Sequence, residues 1–325
     1  MPTPSPTSRL RAYLCRRLTP AIEAALHERF ELAVNEDDSI LPPADIVQRA
    51  RGAELLFVTA TESLRAETLA QLPGLRTIAT LSVGFDHIDL PAARAAGIRV
   101  LNTPDVLSDA CAEIALMLLL NACRRGHEAD QMVRSGAWPG WAPTQLLGMG
   151  LVGRRLGIFG MGRIGRAIAV RARGFGLRIQ YHNRQRLEPG LEDGALYFDS
   201  LDGLLQHSDI LMIAAPGSPA LRGVFDAERL ARLPRGAVVV NISRGDLVQD
   251  EALIAALRNG HLLGAGLDVF ANEPQVHPGY RTLNNVFLSP HIGSATHETR
   301  DAMGWLLIHG IEALARGQSP DNLLT

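Results

Sequence analysis

The chain has 325 residues, 46% of them hydrophobic and 20% charged, with a formal net charge of -2. That balance is the ordinary one for a globular protein, and it offers no electrostatic basis for binding nucleic acid or a membrane surface. The length exceeds what one hydrophobic core organises, so two domains are expected.

The opening, MPTPSPTS, is rich in Pro, Ser and Thr. It is expected to be frayed and lacks the apolar core of a secretory signal. Residues 10–104 then alternate short apolar segments with helical patterns. AYLC, ELLFVTA, LRTIATLS and IRVLNT read as strands; PAIEAALHERF, LRAETLAQL and DLPAARAAG read as helices between them. Apolar strands separated by helices predict a parallel sheet covered on both faces. Thr103-Pro104 breaks the pattern, and a long helix is expected from about Ser108 to Arg125. Its apolar run carries Glu113 and falls short of the ~20 residues that span a bilayer. Cys15, Cys111 and Cys123 form an odd, unpatterned set, read as buried thiols in a reducing compartment. A cytoplasmic protein is therefore expected. The ten histidines show no metal-ligand spacing, and no metal is expected.

A Gly/Pro-rich loop with two tryptophans, RSGAWPGWAPTQLLGMGL, precedes a second βα series. Its strands are expected near residues 155–159, 177–182, 210–214, 237–242, 263–269 and 285–288. Its helices are expected near 163–175, 201–207, 227–233 and 250–258, with a last helix over about 295–316. The fold class is α/β, with two doubly wound parallel-sheet domains.

RRLGIFGMGRIGRAIAVRARGFG places Gly160, Gly162 and Gly165 in GxGxxG spacing. The pattern alone is weak in a chain with 31 glycines, but here a strand precedes it and a helix follows. The first glycine makes the tight turn, the second admits a pyrophosphate, and the third lets helix and strand pack closely. The following strand, LRIQYHNR, ends in His182, Asn183 and Arg184, where an NAD site usually carries an acid for the ribose 2′-hydroxyl. A carboxylate would repel a 2′-phosphate; Arg184, with Arg186 nearby, could pair with one. NADP(H) is therefore favoured over NAD(H). The plainer reading is a solvated basic loop.

In doubly wound sheets the ligand lies outside the carboxyl ends of the strands. Strand 237–242 delivers Ser243 and Arg244; strand 263–269 delivers Asp268, with Glu273 just beyond; strand 285–288 delivers SPHIGSAT with His291. Reduction of a 2-keto acid needs a hydride and a proton for the carbonyl oxygen. Histidine is the natural donor near neutral pH, a carboxylate on its other nitrogen orients it, and a guanidinium holds the substrate carboxylate. His291, Glu273 and Arg244 take these roles. Each also has a plainer reading: a helix cap, a surface turn before Pro274, and a structural salt bridge.

GMGRIGRAIA, NISRGDLVQDEAL, GLDVFANEP and SPHIGSATHETR closely resemble D-isomer-specific 2-hydroxyacid dehydrogenases. The resemblance runs from about residue 50 to the end, and LSVGFDHIDL, NTPDVLSDACAEIALMLLL and GAWPGWAP look like the glyoxylate/hydroxypyruvate reductase branch. It implies a homodimer acting on a small 2-keto or 2-hydroxy acid. It also implies a flavodoxin-like substrate domain (residues 1–104 and 290–325) and a Rossmann cofactor domain (residues 105–289). It carries the family's Arg, Glu and His onto Arg244, Glu273 and His291. Val83 and Gly84 would offer backbone amides to the substrate carboxylate, as a glycine turn can. Arg163, Ile164, Ile242, Ser243 and Gly293 join the cofactor site. Asp268 is expected at the nicotinamide carboxamide, and Pro216 at the cofactor's border. Trp141, with Trp138 in reserve, is expected to reach a partner's pocket; both could equally be dimer packing anchors. A related reductase of 2-ketogluconate or another 2-keto acid stays open, with Thr59 among the deciding residues. So does a dinucleotide-sensing binding protein without turnover.

Overall fold

The computed structural model describes residues 9–325; the opening expected to be frayed lies outside them. The chain forms two units. One runs up to Leu107 and resumes over Ala295–Thr325; the other is Ser108–Ser294.

The first unit is built on strands β1 (Arg11–Leu14), β2 (Glu31–Val34), β3 (Leu55–Val58), β4 (Thr77–Thr80) and β5 (Arg99–Leu101). All pair in parallel, in the order β2-β1-β3-β4-β5, which is the flavodoxin-like arrangement. Every residue of β3 and β4 is buried, as strands covered on both faces require. Two elements of this unit went unread in the sequence. Strand β2, ELAV, is an edge strand of alternating exposed and half-buried residues, too short and too polar to stand out. The helix Pro43–Arg49 opens on two prolines, which look like a breaker; proline is nonetheless well suited to a first helical turn. The terminal residues return along β5: Leu324 N–H donates to Val100 O at 2.8 Å, and Leu323 bridges Leu101 antiparallel.

The second unit carries β6 (Arg155–Phe159), β7 (Arg178–His182), β8 (Leu196–Tyr197), β9 (Ile210–Ile213), β10 (Ala237–Asn241), β11 (Leu262–Leu267) and β12 (Val286–Leu288). The order β12-β11-β10-β9-β6-β7-β8 is the Rossmann arrangement extended by one strand, all parallel. The direction of travel reverses between β6 and β9, which sets the ligand-binding edge there. Helix Ser108–Arg124 lies directly on β11: a Cβ at Gly266 would come within 2.8 Å of Leu118. The three cysteines are free thiols, and burial pushes Cys123 up to about 12. Among the described residues no helix is long and apolar enough to cross a membrane.

Candidate active site

The glycine turn follows β6. Gly160 has φ +99°, and a Cβ there would stand 2.4 Å from Ala215 N, so only glycine lets the turn close on the end of β9. A Cβ at Gly165 would stand 2.3 Å from Gly160 O, so helix Arg163–Arg173 packs against the turn only through glycine. A Cβ at Gly162 would meet nothing within 4 Å. Its side of the turn opens outward, toward where a pyrophosphate is expected. No side chain caps that helix start, so its first amides face outward, an arrangement that suits an anion. Arg163 opens the helix, and Ile164 packs on the core beneath it. These features fit a dinucleotide.

Asn183, just past β7, accepts Met161 N–H at 2.7 Å and so braces the glycine turn. Arg184 is exposed. Arg186 is also exposed, and Glu192 engages its guanidinium at 2.8 Å and 3.0 Å.

The ends of β9, β10, β11 and β12 lie on the same edge of the sheet as the glycine turn, because all these strands are parallel. At β9, exposed Pro216 follows Ala215. Ser243 Oγ donates to Ala215 O, joining the ends of β9 and β10. Asn241, 1% exposed, shapes the turn after β10: its Nδ2 donates to Arg244 O at 2.9 Å and its Oδ1 accepts Ser243 N–H at 3.1 Å. Ile242 is half-buried between them. The Arg244 guanidinium donates back to Ser243 O at 2.8 Å. Gly217 leaves room for its stem: a Cβ there would be 2.9 Å from Arg244 Cγ. A Cβ at Gly245 would fall 1.9 Å from Phe270 C, so the Arg244 turn and the exit of β11 are packed backbone to backbone.

Glu273 and His291 meet directly, Nδ1 to Oε2 at 2.7 Å, while Glu273 Oε1 accepts Phe270 N–H at 2.8 Å. Burial alone would raise the Glu273 carboxyl. The hydrogen bond and charge of His291, the Phe270 amide and the field of Arg244 outweigh burial and hold it below the ordinary carboxylate range. An ionised carboxylate only accepts, so Nδ1 carries the hydrogen and Nε2 is the nitrogen left to act. His291 itself sits at φ +54°, in the left-handed region. Asp268, 1% exposed, fixes that loop: its Oδ1 accepts Ser289 Oγ–H at 2.5 Å and Ile292 N–H at 2.9 Å, one residue either side of Pro290-His291. Its Oδ2 lies beside Gly293, 3.3 Å from where a Cβ would stand.

In the first unit, the turn after β4 has its carbonyls tied by side chains. Asn102 Nδ2 donates to Val83 O at 2.9 Å and Ser82 Oγ donates to Gly84 O at 2.7 Å. Among the described residues neither the Val83 nor the Gly84 amide has a protein acceptor. Thr59 donates through its N–H and hydroxyl to buried Glu62, at 2.7 Å and 2.9 Å. Trp141 is 81% exposed and Trp138 is 52% exposed.

Asn241, Ser289, Gly217 and the Phe270 amide were missed in the sequence. Only Asn241 carried a signal there, as a polar residue closing the buried strand AVVVN.

The family model for the D-isomer specific 2-hydroxyacid dehydrogenase NAD binding domain matches residues 116–293. A glycerate dehydrogenase of Hyphomicrobium methylovorum is 41% identical over 303 residues, covering 92% of this chain and 94% of its own. A solved chain from Polaromonas sp. JS6 66, assigned to the NAD-binding D-isomer specific 2-hydroxyacid dehydrogenases, superposes with a TM-score of 0.93 at 69% identity, over 98% of this chain and 100% of that one. An NADPH-dependent glyoxylate/hydroxypyruvate reductase of Sinorhizobium meliloti, solved with NADP and malonate, gives a TM-score of 0.88 at 35% identity, over 98% and 97%.

Proposed function

The chain belongs to the D-isomer-specific 2-hydroxyacid dehydrogenase family, and we propose that it reduces glyoxylate to glycolate and hydroxypyruvate to D-glycerate, with NADPH preferred over NADH. The observation that carries this reading is the Glu273–His291 pair at 2.7 Å on the sheet edge that also holds Arg244 and the glycine turn.

The reduced dinucleotide supplies one hydride to the carbonyl carbon. The remaining chemistry belongs to the chain. Arg244 pairs with the substrate carboxylate and draws density from the adjacent carbonyl. His291 Nε2 gives its proton to the carbonyl oxygen as charge develops there, and becomes neutral imidazole. Glu273 stays ionised, favours the imidazolium before transfer and keeps the ring's orientation after it. The Val83 and Gly84 amides are a second proposed anchor for the carboxylate, supported by the way their carbonyls are tied back. Asp268 Oδ2 and Pro216 are assigned to the nicotinamide end of the cofactor.

The NADPH preference rests on the absence of an acid at the end of β7 and on exposed Arg184, for which no protein partner is found among the described residues. The Sinorhizobium relative's NADP is consistent with it. A homodimer is proposed through the segment holding Trp138 and Trp141, where Val133 and Leu147 are also 63% and 64% exposed.

The test is a panel of glyoxylate, hydroxypyruvate, pyruvate and 2-ketogluconate, each with NADPH and NADH, followed by absorbance at 340 nm. The reading requires glyoxylate and hydroxypyruvate with NADPH to give the highest kcat/KM. A 2-ketogluconate maximum moves the chain to the sister activity, and no oxidation with any keto acid moves it to a dinucleotide sensor. Sedimentation of the intact protein tests the dimer.

A further inference from the structure

Beyond β7 the chain makes a second construction that the catalytic chemistry does not use. Tyr181, fully buried, donates its hydroxyl proton to Glu192 Oε1 at 2.6 Å and accepts Leu187 N–H at 2.9 Å. Glu192, 7% exposed, takes Arg186 through both oxygens, at 2.8 Å and 3.0 Å. The Arg186 hydrogen bond, then that of Tyr181, holds the Glu192 carboxyl down at about 2. Arg186 also lies over the Tyr197 ring, 5.8 Å from its centroid, and Tyr197 packs on Tyr181 at 5.2 Å. Arg173, at the end of the helix that starts at the glycine turn, pairs with Asp193 at 2.7 Å. The loop after β7 is thus pinned at both ends, at Asn183 by Met161 N–H and at Leu187 by Tyr181. Between the pins Arg184, Gln185 and Arg186 are all exposed, and of these Arg186 is the one tied down, by Glu192.

We infer that Glu192, acting through Arg186 and Tyr181, is a specificity-determining positioning residue that sets Arg184 where a cofactor 2′-phosphate would lie. The inference rests on the NADPH reading proposed above. An order-giving clamp and a direct ligand have opposite signatures. If Arg186 were itself the phosphate's partner, Glu192 would be its competitor, and removing the acid would strengthen NADPH. If Glu192 orders the loop, removing it weakens NADPH. NADH has no 2′-phosphate for Arg184 to hold, so it changes little in either case.

The experiment is calorimetric titration of the intact protein with NADPH and with NADH, for the wild type, Glu192→Gln, Arg186→Ala and Arg184→Ala. Glu192→Gln and Arg186→Ala are each expected to raise the NADPH Kd about 5- to 10-fold, the scale of a weakened charge-assisted hydrogen bond, with NADH within about twofold. An NADPH Kd that is unchanged or tighter in Glu192→Gln overturns the inference, and so does an equal loss for both cofactors. Arg184→Ala checks the parent reading separately: a wild-type ratio of the two Kd values there removes the 2′-phosphate assignment whatever Glu192 does. Tyr181→Phe is the second variant if Glu192→Gln does not fold. It keeps the buried ring and removes only the hydroxyl, and is expected to shift the ratio about threefold; an unshifted ratio overturns the inference equally.

Discussion

At the carboxyl edge of the five-stranded sheet the groups proposed to meet a ligand are backbone amides, those of Val83 and Gly84. At the same edge of the seven-stranded sheet they are charged side chains, Arg244, Glu273 and His291. Both sheets are parallel and both are buried on two faces. The difference lies in what each strand end is tied to. In the first unit Asn102 and Ser82 hold the carbonyls of that turn, whose amides find no protein acceptor among the described residues. In the second, Asn241 and Asp268 hold backbone and so turn side chains outward. On the proposed reading the first edge would anchor and the second would react, so the chemistry would follow the strand ends rather than the fold.

Variants sharpen or break that contrast. The largest effect is expected at His291. His291→Asn should lower kcat by ~10²–10⁴-fold, the usual worth of general acid catalysis, with NADPH affinity unchanged by fluorescence titration. If cofactor affinity falls in step with kcat, the reacting edge is not distinct. Arg244→Ala comes next, with kcat/KM for glyoxylate expected to fall about 10²–10³-fold, as for loss of a preorganised charge-stabilising donor. A loss under tenfold would make Arg244 a structural residue.

Glu273→Gln should cost about tenfold in kcat/KM, because the His291 ring loses the carboxylate that orients it. The wild-type Glu273 carboxyl lies below its ordinary range. Its charge, and the stability it lends, are fully present above the ordinary value of 4.5 and are lost only as pH falls through the lower folded value. An unchanged kcat/KM would mean that Glu273 does not act on His291. The smallest effect belongs to the anchoring edge: Asn102→Ala should raise KM for glyoxylate about fivefold, the scale of one hydrogen bond, and leave kcat alone. A kcat effect there would blur the two edges into one.

The sequence made the reacting edge legible because strand direction alone sends residues 244, 273 and 291 to one side. The glycine turn was legible because strand and helix flank it. What stayed hidden was the bracing. Ser289 reaches Asp268 from the end of β12 to the end of β11, a proximity that spacing does not encode, and the Phe270 amide meets Glu273 within an irregular loop that leaves no pattern. Arg186 looked like a cofactor cation because Glu192, six residues on, sits in the four-residue helix Pro189–Glu192, which leaves no periodic pattern. Gly217 looked like any loop glycine, and only the Arg244 stem beside it gives a reason for the missing side chain.

The positive φ at His291 bears on protein engineering. Alanine at that position removes the ring and also leaves a residue that dislikes the left-handed basin, so loop relaxation and lost proton transfer would arrive together. Asparagine tolerates the basin and has no proton to give at neutral pH. His291→Asn is therefore the replacement that keeps the backbone quiet while silencing the acid, and a dead-end complex with keto acid and reduced dinucleotide is best sought in that variant.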